Sequence, residues 1–502
     1  MADVMSTADP TLCNGCYNKL AQRWRMIAPE RERNAMDAPH PLDGNRVFDH
    51  VRQLVSLGAR RTGTAAGRAA AEYVAKSFDA FGLSNVSIDR SASTQWDASA
   101  HDLCVANQQI DCFPVNHSCA ASGPLGPFGT RETGLTRRLI DMNRTTHYDS
   151  LADAIVIFDV RFGSIDVDAV SRGTVSPSVR QHPKFRELLD ALPDGRLTDP
   201  YRTTLAESVT TAVAAGAVGF VAVLSEYFDS NRYINEDYDG LDIPGVWVTK
   251  KEGRRIRELL ADKHSTHATL HLKGLRSSVT AHSTIGVLPG RSKETILVHS
   301  HHDSVSDGAV EDASGTACVL ALAEHFSSVP FEQRDRTIMF ATMDTHFTGY
   351  EAHQDFVLKY IEQNFEGCKV LVNVAIEHIA RAARIDEGNL VVEDSPEPRL
   401  ILTNTGPRVH EIINAAIEDL PAIAVVPTDV LPSEELPTDA DFFYQAGIPV
   451  ISFISAPIYL YDQADTLDKV DESQLGPVSV AFAEIIRDLG LVPREDISQP
   501  TD

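Results

Sequence analysis

The residues best suited to chemistry lie in one short stretch, 298–315, which reads Val-His-Ser-His-His-Asp-Ser-Val-Ser-Asp-Gly-Ala-Val-Glu-Asp-Ala-Ser-Gly. It contains three histidines and four acids, among them His301, Asp303 and Glu311. Imidazole nitrogens and carboxylate oxygens are the ligands that zinc and related divalent ions take in proteins. The stretch therefore predicts a metal site, against the simpler interpretation of a polar loop that is only solvated.

The flanking residues place this loop at the end of a strand. Residues 295–298 are apolar and too few for a helix, which favours a buried strand, whereas residues 316–326 favour a buried helix. An open α/β sheet binds its ligands outside the carboxyl ends of its strands. The loop is thus expected to lie at the functional edge of a sheet.

The pattern resembles the metal-binding loop of the M28 family of zinc aminopeptidases and carboxypeptidases. That family has a His-x-Asp-Ser segment, a short glycine-containing loop, an acid and a Ser-Gly helix start. Here residues 301–304 (His-His-Asp-Ser) match the first part, and residues 311–315 (Glu-Asp-Ala-Ser-Gly) match the last. Glu311 follows His301 by ten residues, a spacing that fits the glutamate carboxypeptidase branch.

The resemblance implies three ligands for a first ion. His301 would be the loop histidine, Glu311 the acid that bridges two ions in the family, and Glu377 the acid from a later strand. Asp303 would orient His301 from outside the coordination shell. Zn²⁺ is the expected ion and Fe²⁺ and Mn²⁺ are the alternatives, since an imidazole with two carboxylates suits all three. His378 is expected to point away from the ion, because neighbours on a strand face opposite sides.

The second ion of the family lacks two ligands here, so the sequence predicts a single-ion site. His346 stands at the general-base position, Phe347 at that of a ligating glutamate, and Tyr461 at that of a late histidine. His346 is expected to act as the general base, with coordination of the ion or a structural hydrogen bond as alternatives. Tyr461 is expected to donate a hydrogen bond to an oxyanion or to bind the ion as a phenolate. Asp439 resembles the acid of a Ser-Asp pair in the family, with a helix N-cap as an equal alternative.

Strand and helix patterns alternate along the chain, which predicts an α/β fold with a mostly parallel central sheet covered by helices on both faces. Residues 1–45 are expected to form an N-terminal arm. The catalytic domain is expected in two parts, 46–145 and 280–495. Residues 146–279 resemble the protease-associated domain, a smaller α/β domain often inserted in M28 enzymes. This domain is expected to have a structural role or to shape the substrate entrance, and to supply no catalytic group by itself.

Composition limits the partners. The 502 residues carry a formal net charge of −26, which argues against nucleic acid and anionic membranes. No membrane-spanning apolar run or signal peptide is visible, so a cytoplasmic location is expected. The seven cysteines, including Cys13 and Cys16, are scattered and predict no disulfide framework. The expected partner is a small-molecule or peptide-like substrate, and homo-oligomerisation is left open.

Together these features predict a metal-dependent hydrolase that cleaves an amide C–N bond with one metal ion and His346 as the base. One alternative is a different reaction on the same mononuclear site, such as cyclisation, deamination or decarboxylation. Another is an inactive M28-like protein used for binding. Retention of a histidine together with its three acids favours catalysis, because a binding protein has no physical need for such a cluster.

Overall fold

The computed structural model describes residues 40–119, 125–145, 151–167, 180–192, 195–236, 241–261, 266–431 and 435–498. Nearly all of the predicted arm, with Cys13 and Cys16, lies outside the described residues. The five cysteines that are described form no disulfide. No described helix is both long and apolar enough to cross a membrane.

Helices form where the apolar residues recur at helical spacing. In chain order the main helices are α1 (Gly44–Val55), α2 (Ala65–Phe81), α3 (Pro183–Ala191), α4 (Leu205–Ala214), α5 (Lys250–Ala261), α6 (Gly315–Ser327), α7 (Glu351–Phe356), α8 (Pro407–Ala416), α9 (Asp441–Gln445) and α10 (Glu472–Leu489). Their ends carry local stop signals: before α2, the Thr64 side chain accepts the Gly67 N–H, and Gly82 ends that helix in a left-handed conformation (φ +80°).

Strands occupy most of the other apolar segments. They are β1 (Ser84–Val105), β2 (Gln108–Ile110), β3 (Phe113–Pro114), β4 (Gly126–Gly129), β5 (Leu135–Asp141), β6 (Ala154–Val160), β7 (Phe162–Asp166), β8 (Arg196–Thr203), β9 (Gly219–Leu224), β10 (Gly245–Thr249), β11 (His267–Leu288), β12 (Ser292–His301), β13 (Arg336–Met343), β14 (Lys369–Ile376), β15 (Arg381–Asp386), β16 (Asn389–Pro396), β17 (Arg399–Thr403), β18 (Ile423–Pro427) and β19 (Val450–Ser455).

Four neighbouring parallel strands, in the order β19–β14–β12–β13, form the centre of the large sheet. Most of their residues are buried, as expected when both faces of a parallel sheet are covered. α6, buried along almost its whole length, belongs to the main apolar core with α1, α2 and α10. The predicted α/β fold is confirmed, and all four strands end at the same edge of the sheet.

A long antiparallel pair joins this sheet to a second group of strands. β1 and β11 each span 22 residues and pair from Ser84 with Val287 to Val105 with Ala268. Beyond them, β5, β6, β9 and β10 run parallel. One face of these strands packs in a separate apolar core, whereas the other face of β6, β9 and β10 belongs to the main core. The separate core includes Leu103 of β1, so residues before position 146 contribute to it. The domain boundaries themselves stay a prediction.

The segment predicted as an insertion also reaches back over the edge where the four central strands end. Phe185 of α3 packs in a cluster with Val426 of β18 and Ile454 of β19. The Asp229 N–H donates to the Gly388 carbonyl between β15 and β16 at 2.7 Å. These contacts bring residues of the insertion next to the loops that follow the central strands.

Candidate metal centre

Loops after the four central strands bring the predicted site residues together. His301 is the last residue of β12, and Glu311 lies in the loop that follows it. His346 follows β13, His378 follows β14, and Tyr461 lies in the loop after β19. All five side chains are buried. Parallel strands thus concentrate residues that are distant in sequence at one edge of the sheet.

His301 and His378 contact the two oxygens of Glu311. His301 Nε2 lies 3.1 Å from Glu311 Oε1, and His378 Nε2 lies 2.5 Å from Oε2. The Nδ1 atom of His301 contacts the Asp303 carbonyl at 3.1 Å, and Nδ1 of His378 contacts the Ser455 carbonyl at 2.8 Å. A carbonyl only accepts hydrogen bonds, so each Nδ1 carries a proton and each Nε2 is left to face Glu311.

This arrangement requires a positive charge between the histidines and Glu311. Neither Nε2 atom nor either Glu311 oxygen has a hydrogen bond of normal geometry, although all are buried. Burial disfavours charged histidines, but Glu311 raises the pKa of His378 to about 9 and that of His301 well above its usual range. Despite burial, the two imidazoles hold the pKa of Glu311 well below its ordinary value. One ligand atom from each residue lies within 4.8 Å of the others, so the three residues fit a divalent cation.

The loop between His301 and Glu311 is held by Arg60, a buried arginine that lies shortly before α2. Arg60 donates to the carbonyls of His302 (2.8 Å), Asp307 (2.6 Å) and Gly308 (2.8 Å). A guanidinium presents several donors in a fixed plane, so these three bonds define the curvature of the loop.

Two buried acids fix the backbone at the ligands themselves. Asp465 accepts the N–H groups of Val310 and Glu311, each at 2.9 Å. Asp312 Oδ1 accepts the N–H of His378 at 3.1 Å. The predicted orienting acid, Asp303, also places its side-chain Oδ1 3.3 Å from His301 Nδ1. The ligand atoms are therefore positioned by hydrogen bonds to both backbone and side chains.

His346 stacks on His301 and contacts carboxylates through both ring nitrogens. The two ring centroids are 4.1 Å apart, with 13° between the planes. His346 Nδ1 lies 2.9 Å from Asp439 Oδ1, and Nε2 lies 2.8 Å from Glu236 Oε1 and 3.4 Å from Glu311 Oε1. Burial and His301 oppose protonation, yet Asp439 and Glu236 raise the pKa of His346 well above its usual range. The N-cap of α9 is Ala440, so Asp439 is a partner of His346 and not the helix cap.

Phe347 and Tyr461 lie beside His346, on the side where the resemblance places a second ion. The Phe347 ring centroid is 4.8 Å from that of His346 and 5.4 Å from that of Tyr461. The Tyr461 hydroxyl donates to Glu236 Oε1 at 2.7 Å and lies 3.1 Å from His346 Nε2. Phe347 has no ligand atom, so this side of the site is poorer in metal ligands than the side of His301.

The expectation that His378 points away from the ion is wrong. β14 ends at Ile376, and His378 has a left-handed backbone (φ 61°), so the alternation of a strand no longer applies. Glu377, the predicted ligand, is buried nearby, and its Oε1 atom has no hydrogen-bond partner among the described residues. Burial and the neighbouring Asp439 raise the pKa of Glu377 to about 8.

The segment predicted as an insertion also places side chains at the site; that it supplies no catalytic group stays a prediction. Glu236 accepts hydrogen bonds beside His346, and the Tyr201 hydroxyl donates to the Ser455 carbonyl at 3.1 Å, next to His378. Neither residue lies in a recognisable motif. Glu236 is the last residue of an irregular segment, 231–236, that carries no strand or helix pattern.

A parallel sheet whose strands end at a buried cluster of imidazoles and carboxylates defines an α/β protein with a candidate divalent-metal centre. Residues 283–486 match the sequence profile of Peptidase family M28, and the chain therefore contains a Peptidase family M28 domain. This range includes every predicted ligand and His346. The resemblance of the metal loop to the M28 family is confirmed.

Comparisons with individual proteins agree with this assignment. The chain is similar to a solved Peptidase M28 precursor from Shewanella amazonensis SB2B, with a TM-score of 0.65, 18% identity, and coverage of 88% of this chain and 92% of that one. It is similar to BSAP, a zinc aminopeptidase from Bacillus subtilis, with a TM-score of 0.63, 18% identity, and coverage of 92% and 99%. Aminopeptidase YwaD of Bacillus subtilis (strain 168) is 28% identical over 171 residues, a match that spans 32% of this chain and 36% of that relative's length.

Proposed function

We propose that the protein is a metal-dependent hydrolase that cleaves an amide C–N bond in a small-molecule or peptide-like substrate. The observation that carries the proposal is the contact of two imidazole Nε2 atoms with both oxygens of Glu311 in a buried site. The M28 domain and the zinc aminopeptidase among the similar structures support the same chemistry.

His301, Glu311 and His378 would hold one zinc ion, and Glu377 is a further predicted ligand. A bound ion would supply Lewis acidity toward the scissile carbonyl and toward water. A single ion is proposed because Phe347 offers no ligand atom. The Tyr461 hydroxyl lies close to His346 and Glu236, where it could donate a hydrogen bond to an oxyanion.

His346 would carry the proton that hydrolysis transfers. Asp439 keeps Nδ1 protonated, so the exchangeable proton is the one at Nε2, beside Glu311 and Glu236. Nε2 would accept a proton from the attacking water and then donate it to the leaving nitrogen as the C–N bond breaks. The predicted base role is thereby joined to an acid role, because two carboxylates favour the protonated ring.

The test is metal content combined with turnover. Full-length protein purified without chelator is expected to contain one zinc per chain, and chelation followed by zinc return is expected to remove and restore hydrolysis of a panel of dipeptides and amino-acid amides. Two ions per chain would contradict the single-ion site. One ion without metal-dependent hydrolysis of any amide would reject the hydrolase and favour another reaction or a binding role.

A further inference from the structure

We propose that His353 is a positioning residue of the site: through Asp439 it holds the ring of His346 in the orientation that proton transfer requires. This inference rests on the proposed function, because His346 is the residue that would transfer the proton there. Asp439 lies between the two histidines and turns one carboxylate oxygen toward each.

The Asp439 carboxylate accepts one hydrogen bond through each oxygen. Its Oδ1 atom lies 2.9 Å from His346 Nδ1, and its Oδ2 atom lies 2.8 Å from His353 Nε2. Among the described residues, these two imidazoles are the only hydrogen-bond and ion-pair partners of the Asp439 side chain. A carboxylate with a donor on each oxygen cannot rotate without breaking a bond, so His353 fixes the plane of the acid that orients His346.

The contacts of His353 define which of its nitrogens carries the proton. Its Nδ1 atom is buried and has no hydrogen-bond partner among the described residues. An uncharged imidazole has one N–H group, and an ionised carboxylate only accepts hydrogen bonds. The proton is therefore on Nε2, and His353 is a fixed donor to Asp439.

Packing alone does not account for an imidazole at this position. His353 is 0% exposed, and its ring lies 5.4 Å from that of Tyr350 and 5.3 Å from that of Phe442, measured between centroids. An apolar side chain would fill the same space without the free-energy cost of burying polar nitrogens. The atom that distinguishes histidine from such a side chain here is the donor Nε2, and its contact is with Asp439.

One short segment brings both histidines to the acid. His353 follows His346 by seven residues and lies in α7. Between them the chain turns back on itself: the Tyr350 N–H donates to the Thr345 carbonyl at 2.9 Å, and the His353 N–H donates to the Tyr350 carbonyl at 3.0 Å. Asp439 comes from a distant part of the chain, so it connects the two ends of this turn, and a change at His353 acts on His346 through it.

The experiment compares His353→Gln with His353→Asn in the zinc-loaded full chain. The glutamine amide can place its nitrogen where Nε2 lies and donate to Asp439, whereas asparagine is one methylene shorter and ends near the place of Nδ1. His353→Asn is expected to lower kcat by about 10–100-fold, the range for loss of an outer-shell partner. KM and zinc content should stay at the wild-type level, because the lost interaction acts on the proton-transfer step.

His353→Gln is expected to recover most of the lost kcat. The matched control is His325→Asn, which replaces another buried histidine, in the last turn of α6, and should keep wild-type turnover. Should His353→Asn not fold, His353→Leu, which also lacks a donor at the place of Nε2, is used instead.

Proton NMR gives a second measurement that needs no turnover. The Nδ1 proton of His346 is bonded to a buried carboxylate, so it is expected to give a resonance downfield of the amide region that His346→Gln lacks. This resonance should shift or broaden in His353→Asn and remain in His353→Gln.

An unchanged kcat or an unchanged resonance in folded His353→Asn would overturn the proposal, as would the absence of this resonance from wild-type protein. Equal losses in His353→Asn and His353→Gln would leave His353 with a packing role only. The proposed function fails separately: wild-type protein that hydrolyses no amide rejects the hydrolase, and the resonance then still decides whether His353 positions His346.

Discussion

The two halves of the site differ in how their side chains are held. The half that contains His301, Glu311 and His378 is called the ion half here. In it, the Nδ1 atoms of His301 and His378 are hydrogen-bonded to backbone carbonyls at or just after the ends of strands of one sheet. In the other half, both ring nitrogens of His346 contact carboxylates, and one of these, Glu236, comes from a different part of the chain. The ion half is therefore specified by the fold, whereas the other half can change its chemistry by exchanging a few side chains.

Glu311→Ala tests the ion half most directly and is expected to have the largest effect. Removal of the carboxylate leaves two buried imidazoles facing each other, so zinc binding and hydrolysis should both fall to background. Metal content per chain and turnover measure this. Asp307→Asn is the matched control, since Asp307 lies in the same loop with an exposed side chain. Retention of zinc by Glu311→Ala would contradict the ligand set.

His346→Gln should separate the two halves. We expect zinc content to stay at the wild-type level while turnover falls by about 10²–10⁴-fold, the range for loss of a proton-transfer group. His410→Gln replaces a histidine of α8 that is not among the residues of the site, and it should change neither zinc content nor turnover. If His346→Gln also empties the site, His346 is a ligand and the two halves are one coordination sphere.

A pair of adjacent substitutions sharpens the boundary of the ion half. His378→Ala is expected to weaken zinc binding by at least about 100-fold, more than loss of an outer-shell partner typically costs. Glu377→Gln should weaken it less, because Glu377 lies outside the triplet formed with His301 and Glu311. Competition with a chromogenic chelator measures both affinities. If Glu377→Gln weakened zinc binding more than His378→Ala did, Glu377 would be the principal ligand of the two.

The smallest effect is expected at Asp344, which lies behind Asp303. Burial and the Asp303 carboxylate raise the pKa of Asp344 from 3.8 to about 7. Its protonated form therefore stabilises the fold fully below pH 4, and this contribution is lost as the pH rises through 7. In Asp344→Asn the fall in unfolding free energy between pH 5 and pH 8 should be smaller by about 1–3 kcal/mol.

Urea unfolding of the metal-free protein at the two pH values measures this difference. Asp97→Asn provides the control, because Asp97 is 58% exposed and its only described ion pair is with Arg61. An equal pH dependence in wild type and Asp344→Asn would show that Asp344 is ionised in the folded state at pH 5 as well.

Sequence was sufficient to locate the metal loop of the ion half, because the signals of that loop are local. The strand at 295–298, the loop from His301 to Glu311 and the helix that follows are contiguous, and each has a distinct apolar pattern. His378 was missed because its position depends on where β14 ends. One residue of left-handed backbone reverses the direction that strand alternation predicts.

The other half was only partly predictable. The positions of His346, Phe347 and Tyr461 follow from the family pattern, and the structure brings the three together. Glu236 could not be found in this way, because an irregular segment shows no periodicity and its partners are more than 100 residues away in sequence. Such contacts arise from tertiary packing, which a single sequence does not display.

The bonds from Asp465 to the amides of Val310 and Glu311 imply an order of events during synthesis. Val310 precedes Asp465 by 155 residues, so the metal loop is synthesised well before the acid that accepts its amide. Until that acid arrives, the loop amides at Glu311 have no buried acceptor, and Ser455 is not yet present to orient His378. A nascent chain can therefore complete the candidate metal centre only after Asp465 has been synthesised, when all four central strands are already present.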